Sequence, residues 1–391
     1  MDSGLKNKKR ILIVPMSAMA ETSGPSMRCR LLAEGFTTAG HVVATCMAED
    51  VNFRKIDKVR NYYLDIPMPL GLPAPIASRT FPLAQKLGIT SRKQVDSFDQ
   101  VLFMTGNLDY KYLKKSISSV QQAIREFKPD IVYSEFNISA MIAALAENVR
   151  LFTTVSFPTQ HEYAHSSKLA KGLNKVLNEM GIHEVDSALQ LFDRADKMFC
   201  PSIKRIEPIA KESIYYVGTM RGTVSEGEEY SIRKKIIVYM GNGTISAKRM
   251  LEVISRAFTD SKYDVYIASS YLEEGDTASI HVAPHWDFNE LLDEALIFIN
   301  HGGQNSIVDG LLHGVPQIIL PGKVFERKFN ASSVADNHAG VIVKPEEFNP
   351  DRIRELTEKI ISDEKMRSSA HDLGTQLVGA GGIQVILDEI D

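Results

Sequence analysis

The residue types that can do chemistry concentrate between positions 295 and 340. An apolar run, Ala295 to Ile299, stops at Asn300-His301-Gly302-Gly303, and Gln304-Asn305-Ser306 follow. A short apolar run that breaks at glycines and enters helical spacing reads as a strand leading into a helix through a tight turn. Ile307, Val308, Leu311 and Leu312 carry that spacing. Gly314 ends it, and Gln317 to Leu320, framed by Pro316 and Pro321, is the next strand. Such a turn lies at the carboxyl end of a parallel strand, where open α/β sheets bind ligands. The two glycines let the backbone approach an anion. The N–H groups of the opening helix turn, Ser306 and the helix dipole would then hold a phosphate.

This run resembles the donor signature of nucleotide-sugar glycosyltransferases of the GT-B fold, in the broad UDP-glycosyltransferase group that includes macrolide and natural-product enzymes. The matching residues are His301, Gly302, Gly303, Asn305, Ser306, Asp309, Gly314-Val315-Pro316, Pro321, Glu326, Arg327 and Asn330-Ala331. The resemblance implies an α/β protein with two Rossmann-like domains facing a central cleft and a C-terminal helix crossing back to the first. It implies an inverting, metal-independent hexosyltransferase acting from a UDP- or dTDP-sugar on a hydroxyl of a small hydrophobic acceptor, natural product or lipid-like. The nucleotide-sugar is then a substrate, and no cofactor is called for.

On the matched positions, the resemblance implies that His301 and the N–H groups near Gln304, Asn305 and Ser306 bind the diphosphate. Asp309 would grip the ribose and Glu326 the sugar hydroxyls. Arg327 stands where the family has Gln. A fixed guanidinium suits a carboxylate, which points to a uronic acid or a modified deoxysugar; the alternative is that Arg327 turns away and pairs with Glu326. Upstream, Gly241-Asn242-Gly243-Thr244 resembles the family's phosphate-contacting loop. Trp286 falls where the family stacks an aromatic ring on the base, and the plainer reading is a packed indole.

The acceptor side is less regular. Where the family carries a Gly-His pair with the general base, this chain reads Ser23-Gly24-Pro25-Ser26, and no histidine precedes His41. Two other residues are candidates for the base. Glu135 follows the strand Ile131-Val132-Tyr133 and could take a proton directly, or simply stabilise a helix start. His161, beside the Glu162 carboxylate, is of the residue type most used as a general base, with a plain surface or structural histidine as the alternative. His161 to His165 also spells H-E-x-x-H, a zinc motif that needs a long helix around it and a third ligand. Ser23, Phe81 and Phe103 are read as part of an acceptor wall, with ordinary core packing as the alternative for the phenylalanines.

The elements that must position these residues need two domains. A chain of 391 residues exceeds the usual single core. The boundaries read as 1–219 for an acceptor domain, 220–232 for a polar linker, 233–370 for a donor domain and 371–391 for the returning tail. Residues 50 to 115 read as largely irregular. Lys168 to Met180 and Ile182 to Asp193 read as helices. The first has an apolar stripe flanked by lysines, which can rest on a membrane surface or be a domain helix with solvated lysines.

Net charge of −4 gives no pointer to nucleic acid, and 44% hydrophobic with 24% charged residues is a globular composition. Cys29, Cys46 and Cys200 are scattered, which argues against a disulfide framework and fits a reducing, cytoplasmic setting. Lys6 to Arg10 and the apolar run after them imitate a signal peptide, but read better as a basic lead and a first buried strand. Three rival readings stay open: a sugar-nucleotide hydrolase or epimerase of the same fold, a non-catalytic nucleotide-binding partner protein, and a zinc hydrolase.

Overall fold

The structure, a computed structural model, describes residues 8–18, 23–50, 53–71, 95–221, 233–241, 244–277 and 279–390. The chain divides into two compact units. One draws on residues 1–77, 96–221 and 380–391, the other on 78–95 and 222–379.

In the first unit the described strands are β1 (Arg10–Pro15), β2 (Val42–Met47), β3 (Arg60–Tyr63), β4 (Ile131–Glu135), β5 (Arg150–Thr154), β6 (Lys197–Cys200) and β7 (Ile214–Tyr216). They form one parallel sheet in the order β3-β2-β1-β4-β5-β6-β7. In the second they are β8 (Lys235–Tyr239), β9 (Asp264–Ala268), β10 (Gly275–Asp276), β11 (Ile280–Ala283), β12 (Ala295–Asn300), β13 (Gln317–Ile319) and β14 (Gly340–Ile342). Their order is β10-β11-β9-β8-β12-β13-β14, parallel except for the β10–β11 pair. Each sheet is a doubly wound Rossmann type. Each reverses direction once beside its opening strand, between β1 and β4 and between β8 and β12. The crevice at such a reversal is where these sheets take ligands.

The apolar runs explain the sheets. Ile11, Leu12, Ile13 and Val14 are all buried, and alternate residues feed opposite cores: Leu12 and Val14 one, Ile11 and Ile13 the other. A parallel strand covered on both faces must be apolar throughout. In β12, Ile297 and Ile299 face one core and Phe298 the other. Each such side chain contributes about 1.5–3 kcal/mol on burial. Helix ends follow local chemistry. Asp109 caps Tyr110–Phe127 by accepting from the Lys111 and Tyr112 N–H groups, and Lys128, at φ 50, ends it before Pro129.

Several expectations change. Glu364–Gly379 is one helix of the second unit, so the tail begins after Gly379 rather than at 371. Gly381 and Gly382, at φ 104 and 60, turn the chain into the last helix, Ile383–Asp388. Ile386, Leu387 and Ile390 then join Cys29, Leu32 and Phe36 in the first unit's core. Ile182 to Asp193 is not one helix; only Ala188–Arg194 is helical there, as a 3-10 turn. The lysine-flanked helix runs Lys171–Glu179, and its stripe of Leu173, Val176 and Leu177 is buried in the first unit's own core. The segment read as irregular contributes the edge strand β3 and the helix Phe98–Met104. No helix among the described residues is long and apolar enough to cross a membrane.

Candidate active site

The second unit's switch point is built on two strand ends. Tyr239 closes β8, Asn300 closes β12, and the two are register partners. The chain then turns at Gly302, at φ 81. A Cβ there would stand 2.9 Å from the Arg327 carbonyl oxygen, so only glycine fits. Three buried amides fix the turn. Asn300 accepts from the Gly302 N–H at 2.8 Å and donates to Gln317 at 2.8 Å. Gln317 donates to the Ile307 carbonyl at 2.9 Å, and Asn330 donates to the Gly302 carbonyl at 2.9 Å. Buried amides with their partners in place hold a single geometry.

The His301 ring lies between the two switch loops. A Cβ on Gly303 would stand 2.7 Å from its Nε2, and one on Gly241 would stand 3.0 Å from its Cε1. Tyr239 meets the ring edge-on, with centroids 5.4 Å apart. Burial pushes the imidazole pKa down to about 3, and the Arg327 charge adds to this, against a weaker pull from the Tyr239 carbonyl. The ring is therefore neutral at pH 7. Its Nδ1 faces the Tyr239 carbonyl at 3.4 Å. A proton on Nδ1 leaves Nε2 as an acceptor.

The helix Gln304–Leu312 opens directly after this ring. Its N-cap is Gly303, which has no side chain to cap it. Gln304 and Asn305 are half-buried, Ser306 is buried, and Asp309 lies one turn further, half-buried. A second helix, Phe325–Asp336, brings Glu326 and Arg327 in its first turn. The Arg327 Nη1 donates to the Thr244 hydroxyl at 3.3 Å. Gly241, Thr244, His301, Gly303 and Arg327, read from separate motifs, thus meet at one place. Asn242 and Gly243 lie outside the described residues.

Trp286 is half-buried. Its indole N–H donates to the Ile267 carbonyl at 3.1 Å, and its ring meets Tyr266 edge-on at 5.2 Å. It shares a cluster with Tyr239 and Phe288. Tyr239, which contacts the His301 ring, is a residue that motif reading misses. Its signal in the sequence is slight: an aromatic on the last position of a strand.

In the first unit, Glu135 closes β4 beside Pro15 of β1. Its carboxylate has no exposed surface. One oxygen pairs with Arg28, whose side chain is 12% exposed, and the other accepts from the Thr154 hydroxyl. Tyr133, also buried, bonds the same Thr154 hydroxyl at 3.1 Å. Burial raises the Glu135 pKa, while Arg28 and Thr154 act against it. The next residue, Phe136, sits at φ 59, a strained conformation for a bulky side chain, and is held by Phe98 and Phe192. Strain of this kind collects at functional loops. Arg28 was not among the expected site residues, because its partner lies 107 positions away.

His161 follows β5 in a turn. Its Nε2 is buried with no hydrogen-bond partner, and its ring stacks on His165 at 3.8 Å. His165 Nδ1 bonds the His161 carbonyl, and Glu162 pairs with Lys211 at 3.5 Å. The H-E-x-x-H letters thus fall in a turn, and the helix a zinc motif requires is not there. His41 is buried at the end of the helix Ser23–Thr38 and accepts from the Lys9 N–H. Phe103 is 42% exposed. Phe81 and the Ser23 side chain lie outside the described residues.

Residues 278–381 match the model of the erythromycin biosynthesis protein CIII-like C-terminal domain. The chain is 22% identical over 310 residues to the NDP-glycosyltransferase YjiC of Bacillus subtilis (strain 168), covering 71% of this chain and 77% of that protein. The calicheamicin glycosyltransferase CalG4 superposes with a TM-score of 0.75 at 16% identity, over 98% of both chains. The spinosyn rhamnosyltransferase SpnG complexed with thymidine diphosphate gives 0.68 at 14% identity, over 97% of this chain and 99% of that one. The chain has the GT-B fold, and it is similar to natural-product glycosyltransferases of that fold. In this glycosyltransferase-like chain the family-model match covers β12 and the helices that open with Gln304 and Phe325, the part the sequence motifs mark most densely.

Proposed function

We propose that the chain transfers a glycosyl group from a UDP- or dTDP-sugar to a hydroxyl of an apolar, natural-product-type acceptor, with inversion and without a metal ion. One observation carries this reading: a helix start that no side chain caps, opening directly after the glycine turn at the carboxyl end of β12. Such a turn takes a diphosphate. SpnG is solved with thymidine diphosphate bound, which supports a nucleotide donor for this chain too.

In the reaction, the acceptor oxygen bonds to the anomeric carbon. The bond from that carbon to the diphosphate oxygen breaks, and its electron pair leaves with the nucleoside diphosphate. The backbone N–H groups at 304–306 and the helix dipole stabilise the leaving charge. Asp309 serves the ribose and Glu326 the sugar hydroxyls. Trp286, Tyr239 and Phe288 serve the base. The acceptor proton goes to His161, whose buried Nε2 would gain in an acceptor hydroxyl the partner it lacks. Glu135 holds Arg28 and is assigned a positioning role. Phe103 contributes apolar surface for the acceptor.

The test is a thermal-shift and turnover panel with UDP- and dTDP-sugars and the bare nucleotides, with EDTA present. Stabilisation by one nucleotide class, with turnover only when an acceptor is added, is the expected result. Rapid turnover of the sugar nucleotide alone would replace the transferase with a hydrolase. Absence of any stabilisation would remove the donor site.

A further inference from the structure

We propose that Arg327 contacts the diphosphate and carries the charge of the leaving group, rather than reading a carboxylate on the donor sugar. The inference rests on the donor reading above and assigns a role to the Arg327 charge. The geometry comes from three contacts. The Arg327 carbonyl lies 2.9 Å, and its Cβ 3.5 Å, from where a Gly302 side chain would begin, so the residue is rooted on the same turn that carries His301. Its Nη1 reaches the Thr244 hydroxyl at 3.3 Å, in the loop that follows β8. Thr244 in turn packs on Gly322, where a Cβ would stand 3.1 Å from its hydroxyl. The side chain therefore runs from the turn at Gly302 to the loop that follows β8, and its charge acts on the His301 ring.

Charge accounting gives it the role. Cleavage leaves one more negative charge on the nucleoside diphosphate. The helix start supplies a partial positive charge of roughly one half. Burial keeps the His301 ring neutral in the fold, so it brings no full charge of its own. Arg327 is the cation rooted at this turn. Glu326, whose charge also acts on Arg327, is read as the partner of the sugar hydroxyls, which leaves the guanidinium for the diphosphate.

Calorimetric titration of wild type, Arg327→Gln and Arg327→Lys with UDP, UMP, dTDP and dTMP tests this. Arg327→Gln should weaken diphosphate binding by about tenfold or more, the loss of one charge-assisted contact, and monophosphate binding by less than about twofold. Arg327→Lys should recover part of the loss. The ratio of turnover on UDP-glucuronic acid to UDP-glucose should not change. Unchanged diphosphate affinity with an altered sugar ratio would overturn the assignment and restore the sugar-reading one. Equal losses on mono- and diphosphate would overturn it in favour of a structural role. Thr244→Val keeps the charge and removes the anchor; it should fall between wild type and Arg327→Gln, and a wild-type-like value would also count against the proposal. Wild-type protein that binds no nucleotide would end the donor reading itself, a result distinct from all of these.

Discussion

At the residue scale the most consequential group is the His301 imidazole. A histidine held near pKa 3 in the fold, against an ordinary value of 6.5, stays neutral where the unfolded chain takes a proton. Between those two values the unfolded state binds more protons. The stability the neutral ring contributes is therefore fully present above about pH 6.5 and is lost as the pH falls toward 3. His301→Gln should flatten the fall of Tm between pH 6.5 and 4, and an unchanged slope would show that another group sets it. Arg327 acts on the same ring. Removing its charge should raise the His301 pKa, though burial, the larger cause, remains. The ring's place was legible from the sequence, since His-Gly-Gly with a helix behind it is a local pattern. Its protonation was not. Neutrality comes from burial, with Gly241 against the ring, and from the Arg327 charge; both depend on segments that meet the ring only in the folded unit.

At the scale of elements, the reading fails where partners are distant or patterns are polar. β3 is four residues, Arg-Asn-Tyr-Tyr, with its ends exposed. An edge strand needs no apolar period, so none announced it. The H-E-x-x-H letters are five residues of a turn, and letters alone carry no helix. Glu135 was legible as a strand-end carboxylate, but not as the partner of Arg28. That pairing yields a discriminating prediction. Breaking a buried ion pair by removing one partner costs about 3–5 kcal/mol. Glu135→Gln should therefore lower Tm clearly, and Arg28→Met added to it should restore part of the loss. His161→Ala should instead lower kcat with little change in Tm or in nucleotide affinity. If Glu135→Gln abolished turnover in a protein of unchanged Tm, Glu135 would be the base and His161 the bystander.

At the scale of the whole molecule, two Rossmann units were legible because both are built from β-α-β segments. The path of the chain between them was harder to read. Residues 364–379 are one helix of the second unit, and only the last twelve positions belong to the first. The glycines at 379, 381 and 382 mark that crossing in the sequence, eight residues later than the tail was expected. What the tail does on arrival is physical. Ile386 and Ile390 are buried to within 1% and Leu387 to 9%, against Cys29, Leu32 and Phe36. Lys197 pairs with Glu389 at 2.6 Å, and Arg150 donates to the Ile390 carbonyl at 3.2 Å. Three apolar side chains at about 1.5–3 kcal/mol each amount to much of a domain's typical net stability of ~5–15 kcal/mol. The two polar contacts are partly exposed and add little. Truncation after Gly379 should therefore unfold or strongly destabilise the first unit while the second keeps its nucleotide-dependent thermal shift. A milder pair, Ile386→Ala with Leu387→Ala, should lower the first unit's transition in the same direction. A single transition that falls as one in both variants would show that the units unfold together, and that the tail ties the stability of the first unit to the second.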